Sequence, residues 1–356
     1  MFKHITTCIS LALLPLLFTA CKHDDLAVPD VNQQYRNAGD FIKNNYDLSL
    51  FNAAVERAGL KEELNSKGPI TLLAPGNTAF NELGITRPSD FERMDADSLR
   101  NAMLYHVLDR RLVMGDIPVN GVDVRYTTLY GGRQLYTTLA SYFITGSPEF
   151  SQNNLFFNGA YTTKKNVTLA NGSLYVIDKV MKYTPGTVQD WLSAHAEYSV
   201  FVAALKHFNL WEQLKAEGPF TVFAPDNAAL AAAGITAESL PEMRTDEYIG
   251  ARLFGVYILP KRRFFITDFV AFNTIYGNNS YSDRIPNDTC NYSLMGMKSF
   301  IGTSPAEYTF SVTTPDAMPL RAVSGNLSGR NDNLTDNGII HHMGAALYMP
   351  DEAKIK

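Results

Sequence analysis

Cysteine is scarce in this 356-residue chain: of three, Cys8 and Cys21 fall near the amino end and Cys290 stands alone in the body. An intrachain disulfide in the folded part is thereby excluded, and Cys290 reads as a small buried hydrophobe. Stability must come from packing, and a 46% hydrophobic content supplies two cores. Excess basic charge is lacking too. With a net charge of −5 and no Lys/Arg run interleaved with aromatics, the chain has no field for tracking phosphates, which excludes nucleic acid as a partner. Also missing are a Gly-x-Ser-x-Gly elbow, a His-Glu-x-x-His pair, a phosphate-cradling Gly-Lys-Ser/Thr loop and a Gly-x-Gly-x-x-Gly turn. No catalytic residue, cofactor or metal is therefore expected, although paired carboxylates distant in sequence leave no such signature.

What is present is a duplication. Setting Ser49 on Ser199 places Phe51 on Phe201, Ala53-Ala54 on Ala203-Ala204, Leu60 on Leu210 and Leu64 on Leu214 without a gap. The register runs on through Gly68-Pro69 and Gly218-Pro219, Ala74-Pro75 and Ala224-Pro225, Asn77 and Asn227, and Gly84-Ile85-Thr86 and Gly234-Ile235-Thr236. Two copies at so long a period are duplicated globular domains rather than solenoid repeats.

Each copy opens helical. Leu48, Phe51, Ala54, Val55 and Ala58, with Phe201, Ala204, Leu205 and Phe208, recur at three- and four-residue spacing. The apolar runs Ile70 to Ala74 and Phe220 to Ala224 read as buried strands stopped by proline, and Asn77 or Asn227 is expected to cap the turn that follows. Leu99 to Leu108 and Tyr248 to Leu259 begin like helices; alternating segments rich in Tyr, Thr, Val and Phe then read as strands. Asn171-Gly172 and Asn337-Gly338 each lead into a final strand. The class is α+β. The stretch from Thr221 to Asn337 is longer than its counterpart from Thr71 to Asn171, which places an insertion at about 273–333. A short linker, Tyr183 to Gly186, predicts a narrowly fixed angle between the domains and makes the groove between them a candidate binding place.

At the amino end, Lys3 and His4 precede the apolar stretch Ile5 to Phe18 and then Thr19-Ala20-Cys21. The stretch is too short to span a bilayer and reads as a signal peptide. Small residues before Cys21 resemble a lipobox, with Phe18 where leucine is usual; the alternative is an ordinary secretory signal. Lys22-His23-Asp24-Asp25 resembles the charged export signal of surface lipoproteins of Bacteroides type, and is equally a solvated tether. From Lys22 to Gly39 no helical or alternating pattern appears, and as an extended tether this segment reaches on the order of 60 Å. The expected organisation is a signal peptide at 1–20, a tether lipidated on Cys21 at 21–37, and domains at 38–184 and 187–350.

Thr71 to Phe80 (TLLAPGNTAF) and Asn171 to Met181 (NGSLYVIDKVM) resemble the two signatures of fasciclin-like domains, with Tyr105-His106 at the family's Tyr-His pair. The second domain repeats them as TVFAPDNAAL from Thr221 and NGIIHHMGAAL from Asn337, with Val256-Tyr257 in place of Tyr-His. The resemblance implies two wedge-shaped, β-sandwich-like cores packed with helices, working in adhesion or surface binding without a shared cofactor or catalytic centre. It makes Tyr105 and His106 candidate partner contacts; within its apolar stretch, His106 reads most simply as a buried, hydrogen-bonded histidine. His341-His342 is not read as a metal pair, since adjacent strand residues face opposite ways. Tyr276, Tyr281 and Tyr292, in the insertion, are candidates for an exposed aromatic platform.

The expected function is a non-catalytic lipoprotein of the outer membrane, exposed at the cell surface, mediating adhesion or ligand binding. Its partners would be a protein or polysaccharide ligand and, as an accessory to uptake, an outer-membrane transporter. The alternatives are a nutrient-binding lipoprotein that captures glycans or peptides, and a hydrolase built on two converging carboxylates.

Overall fold

Two adjacent, mostly buried strands at the centre of each repeat organise the architecture. The structure, a computed structural model, describes residues 35–144, 147–276, 280–297, 307–313, 321–326 and 330–355. The signal segment, Cys21 and the tether up to residue 34 lie outside them, and the side chains of Tyr276 and Tyr292 lie outside those described. Residues Arg36–Lys356 form one compact unit.

In the first repeat the strands are β1 (Ile70–Pro75), β2 (Val107–Leu108), β3 (Val124–Thr127), β4 (Gln134–Ile144), β5 (Ser147–Phe157), β6 (Ala160–Leu169) and β7 (Gly172–Ile177). They form one seven-stranded sheet in the order β2-β1-β7-β6-β5-β4-β3. β1 and β7 run parallel, Ile70 opposite Gly172 through Pro75 opposite Ile177, and every residue of both is buried. Burial on both faces is why these segments are apolar without alternation. Helices Ser49–Arg57 and Ala96–Leu104 cover one face through Phe51, Ala54, Val55, Leu99 and Met103.

The second repeat contains β8 (Phe220–Pro225), β9 (Ile258–Pro260), β10 (Ser280–Arg284), β11 (Asn291–Met297), β12 (Glu307–Thr313), β13 (Arg321–Asn326), β14 (Asn333–Leu334) and β15 (Gly338–Met343). Its strands separate into two four-stranded sheets, β14-β15-β8-β9 and β10-β11-β12-β13. β15 and β8 repeat the central parallel pair, Gly338 opposite Phe220 through Met343 opposite Pro225. The α+β class and the tandem arrangement are as the sequence predicts.

One expectation is corrected. Asn77 and Asn227 do not cap the helices that follow them. Each turns back: Asn77 Oδ1 accepts from the Leu50 amide at 3.0 Å and its Nδ2 donates to Tyr46 O at 2.9 Å, while Asn227 makes the same bonds to Val200 N and Ala196 O, both at 3.0 Å. Each asparagine thus satisfies an otherwise orphaned amide at the start of the preceding helix. The first helical stretch ends at Leu104 because Val107 and Leu108 join the sheet, Leu108 opposite Thr71. In the second repeat the helix is only Gly250–Leu253, with Ile258–Pro260 paired on β8.

The Asn-Gly pairs do more than turn the chain. Asn171 Oδ1 accepts from Ala38 N at 3.0 Å while its Nδ2 donates to Leu64 O and Lys67 O, each at 2.7 Å. Asn337 does likewise with Val188 N, Leu214 O and Ala216 O, each at 2.8 Å. Gly172 follows because the parallel strand crowds it: a Cβ there would stand 1.9 Å from Ile70 O. Among the described residues no helix is long and apolar enough to cross a membrane.

Candidate functional site

Tyr105 and His106 are buried at the end of helix Ala96–Leu104. His106 Nδ1 donates to Ala102 O at 2.8 Å, and its Nε2 accepts from the Met181 amide at 2.9 Å. Both ring nitrogens are thus satisfied, and burial holds its pKa down to about 4, so the ring is neutral. The Tyr105 hydroxyl donates to Gln134 O at 2.9 Å and accepts from Asn158 Nδ2 at 2.7 Å, and burial pushes its pKa up. In the second repeat the hydroxyl of Tyr257 takes over the acceptor role, receiving the Leu347 amide at 2.7 Å. The pair therefore ties the strap after the last strand to the helical layer, and His106 offers no surface to a partner in this conformation.

His341 and His342 diverge as alternation requires. His341 is buried, its Nδ1 accepting from Asp332 N at 3.2 Å and its Nε2 donating to Phe264 O at 2.8 Å. His342 lies at the surface end, accepting from Arg330 at 2.9 Å. Among the described residues no group of three His, Cys, Asp or Glu side chains is placed to hold a metal. Tyr281 does not offer an open platform: it is half-buried, its ring packs 4.9 Å from Phe264, and its hydroxyl accepts from Arg262 at 2.7 Å.

The site with most structure around it is the junction between the repeats, most of whose residues carry no motif. Phe265, Leu334 and Ile339 of the second repeat belong to the core beneath the first repeat's sheet, with Leu135, Leu139 and Phe157. Helix Asp268–Tyr276 packs on β4. Thr138 Oγ1 donates to the buried Asp268 carboxylate at 3.1 Å, and Thr267 Oγ1 to Gly159 O at 3.1 Å. Burial, reinforced by nearby Asp123, raises the Asp268 pKa well above the carboxylate range. Asp332 is also buried, yet it is held ionised: Lys179 Nζ stands 3.3 Å away and the Ile266 amide donates at 3.1 Å. Lys182 Nζ reaches across to Asn331 O at 2.9 Å and Asn333 Oδ1 at 3.2 Å, and burial holds its pKa down to about 8.

The linker is part of this junction. Thr184 N donates to Leu334 O and Asp336 N to Gly186 O, each at 2.9 Å. The Asp336 carboxylate receives Gly186 N and Arg133 Nη1, both at 2.8 Å, and the Tyr183 hydroxyl. Beside it opens a cleft of about 520 Å³. Ser98, Asn101 and Tyr130 line it from the first repeat, Tyr183 and Lys182 from the strap, and Trp191 and His195 from helix Val188–Ala194 and its C-cap. Tyr183 stacks on Tyr105 with centroids 5.0 Å apart and meets Tyr130 edge-on at 5.9 Å; His195 stacks on Trp191 at 3.7 Å. The groove expected between the domains is thus an aromatic cleft. Its sequence signal was a Trp and a His four residues apart directly after the linker.

A family model described as the fasciclin domain matches residues 46–183 and again 196–350. Periostin of Homo sapiens is 24% identical over 295 residues, covering 83% of this chain and 30% of periostin. The transforming growth factor-beta-induced protein ig-h3 of Sus scrofa is 27% identical over 213 residues, covering 59% of this chain and 27% of that protein. The chain thus spans less than a third of the length of these curated relatives. A solved fasciclin domain pair from the insect cell adhesion molecule fasciclin I covers 86% of this chain and 97% of its own, with 18% identity and a TM-score of 0.33. With its model matched twice over most of the sequence, the chain belongs to the fasciclin domain family.

Proposed function

We propose that this protein is a non-catalytic surface lipoprotein, anchored through Cys21 in the outer membrane and facing outward, that holds an extracellular protein or polysaccharide partner. One observation carries the binding part of the reading: two fasciclin domains share a buried junction, and the cleft beside it is walled by aromatic rings and hydrogen-bonding side chains from both. Rigid presentation of one composite surface suits capture, because little conformational freedom is lost on binding. The buried carboxylates do not converge on that cleft. Asp268 is engaged by Thr138 and Phe265, and Asp332 by Lys179 and Ile266, which favours a structural part for both over hydrolysis. The anchoring part rests on the lipobox-like Thr19-Ala20-Cys21 and the charged residues after it. A multiply acylated cysteine gives durable attachment where one chain does not.

The test is affinity capture from membranes solubilised in mild detergent, using the tagged whole chain with Cys21→Ala as control. The reading predicts that the unmodified chain fractionates with outer membrane, is digested by protease added to intact cells, and brings down a surface component, an outer-membrane transporter being the accessory case. A Cys21→Ala form that remains equally membrane-bound would contradict the anchor. Protection from external protease in intact cells would contradict the outward address.

A further inference from the structure

We propose that the junction cleft is a binding site for a neutral oligosaccharide, an inference that rests on the reading of the chain as a binding protein and names the ligand class. Its volume of about 520 Å³ falls within the range of small-ligand sites, which favour domain boundaries. Sugar rings combine an apolar C–H face with a polar edge, and the cleft walls offer both chemistries. The apolar component is the half-buried rings of Tyr130, Tyr183 and His195, with the buried Trp191 stacked on His195. The polar component is the exposed Asn101 amide, the Tyr130 hydroxyl and His195 Nε2, His195 Nδ1 being occupied by Trp191 O at 2.6 Å.

Charge selects against the other classes. Among the described residues no carboxylate lines the cleft, so a cationic ligand meets no counter-ion there. Lys182 is, among the described residues, the Lys or Arg side chain on its walls, and it is turned to Asn331 O and Asn333 Oδ1, so an acidic polysaccharide gains little there. A peptide adding to the linker backbone finds that backbone taken, since Tyr183 already bridges to Leu334 in parallel and Thr184 N is bonded to Leu334 O at 2.9 Å.

The chain has two tryptophans, and Trp191 lines the cleft while Trp211 lies under Lys206 away from it. The test is tryptophan emission of the whole protein titrated with β-1,4-linked glucose, N-acetylglucosamine and mannose hexasaccharides, with a galacturonate hexasaccharide as the acidic comparison. A saturable change is expected with at least one neutral chain and none with the acidic one. It should persist in Trp211→Phe and disappear in Trp191→Phe. Asn101→Ala, an exposed position, should weaken the affinity about five-fold, the loss of one hydrogen bond, with unchanged melting; Tyr130→Ala should weaken it at least as much while lowering the melting temperature, because its ring also packs on Tyr183 and the core. No saturable change with any neutral hexasaccharide, tighter binding of the acidic one, or a response unaltered in both Asn101→Ala and Tyr130→Ala would overturn the proposal. If capture of a membrane protein from solubilised cells nevertheless persists, the binding reading stands and only the ligand class falls.

Discussion

The two domains solve the same joint with different residues. In the first, neutral His106 receives the Met181 amide; in the second, Tyr257 receives the Leu347 amide through a hydroxyl. Around that joint one pair of bonds is copied: Thr71 donates to Arg110 O and accepts from Leu112 N, and Thr221 bonds Arg262 O and Phe264 N in the same way. The neighbours differ, since Ser173 and Tyr175 serve Leu112 O in the first domain and His341 serves Phe264 O in the second. Asn171 and Asn337 each receive one amide and donate to two carbonyls, the second carbonyl lying one residue earlier in the second domain's register. A buried acceptor can thus change chemical type provided the amide it serves stays paired, because the penalty falls on the orphaned group. What is shared between the copies is framework, so function is to be sought where they differ, at the junction and its cleft.

The largest effect should come from the shared framework. Asn337→Ala leaves one amide and two carbonyls unpaired in a mostly buried setting and should cost about 3 kcal/mol, seen as a lower urea midpoint; Asn171→Ala, whose bonds are less buried, should cost less. Equal losses would remove the distinction. At the junction, Asp332→Ala strips Lys179 and the Ile266 amide of their partner and should cost about 3 kcal/mol, with exchange of linker amides rising first.

The joint itself titrates only in the first domain, although the second carries a buried imidazole elsewhere, His341, whose pKa burial also lowers. Burial keeps His106 neutral with a pKa of about 4, whereas the unfolded imidazole titrates near the ordinary 6.5. The unfolded state therefore binds a proton that the folded state excludes. Stability from this group is complete above pH 6.5 and falls as pH drops toward 4, by up to about 3 kcal/mol. His106→Gln should reduce the slope between pH 6.5 and 5 in urea titrations of the whole protein, and an unchanged slope would contradict a buried neutral imidazole at this position. Tyr257→Phe should cost about 1 to 2 kcal/mol with no change in that slope, since its amide loses its acceptor without a titrating group being removed. At the bottom of the scale, Arg244→Ala breaks an exposed pair with Asp246 and should leave the urea midpoint where it is.

Much of this was legible in the sequence. The repeat register located the central strands, since burial on both faces leaves an apolar signature that needs no periodicity. Helix Asp268–Tyr276 was not legible for the same reason: wedged between β4 of the first domain and its own domain, it has little amphipathic contrast to announce it. Asn77 and Asn227 were readable as caps but not as caps of the preceding helix, because that role depends on a contact between segments far apart in the chain. Asp332, Asp268 and Lys182 carry no motif at all. Their burial and pairing follow only from docking two domains, and the exposed part of Tyr130 likewise becomes a cleft wall only once Trp191 and His195 stand opposite.

The central claim is that linker and junction form one closed structure holding the cleft in shape. Amide hydrogen exchange of the intact protein, followed over residues 183–187 and 331–337, tests it most directly. The account predicts protection of Thr184, Gly186 and Asp336 amides approaching that of β1 and β7, since each is bonded across the junction. Exchange of these amides at the rate of an open loop, with the central strands still protected, would contradict it.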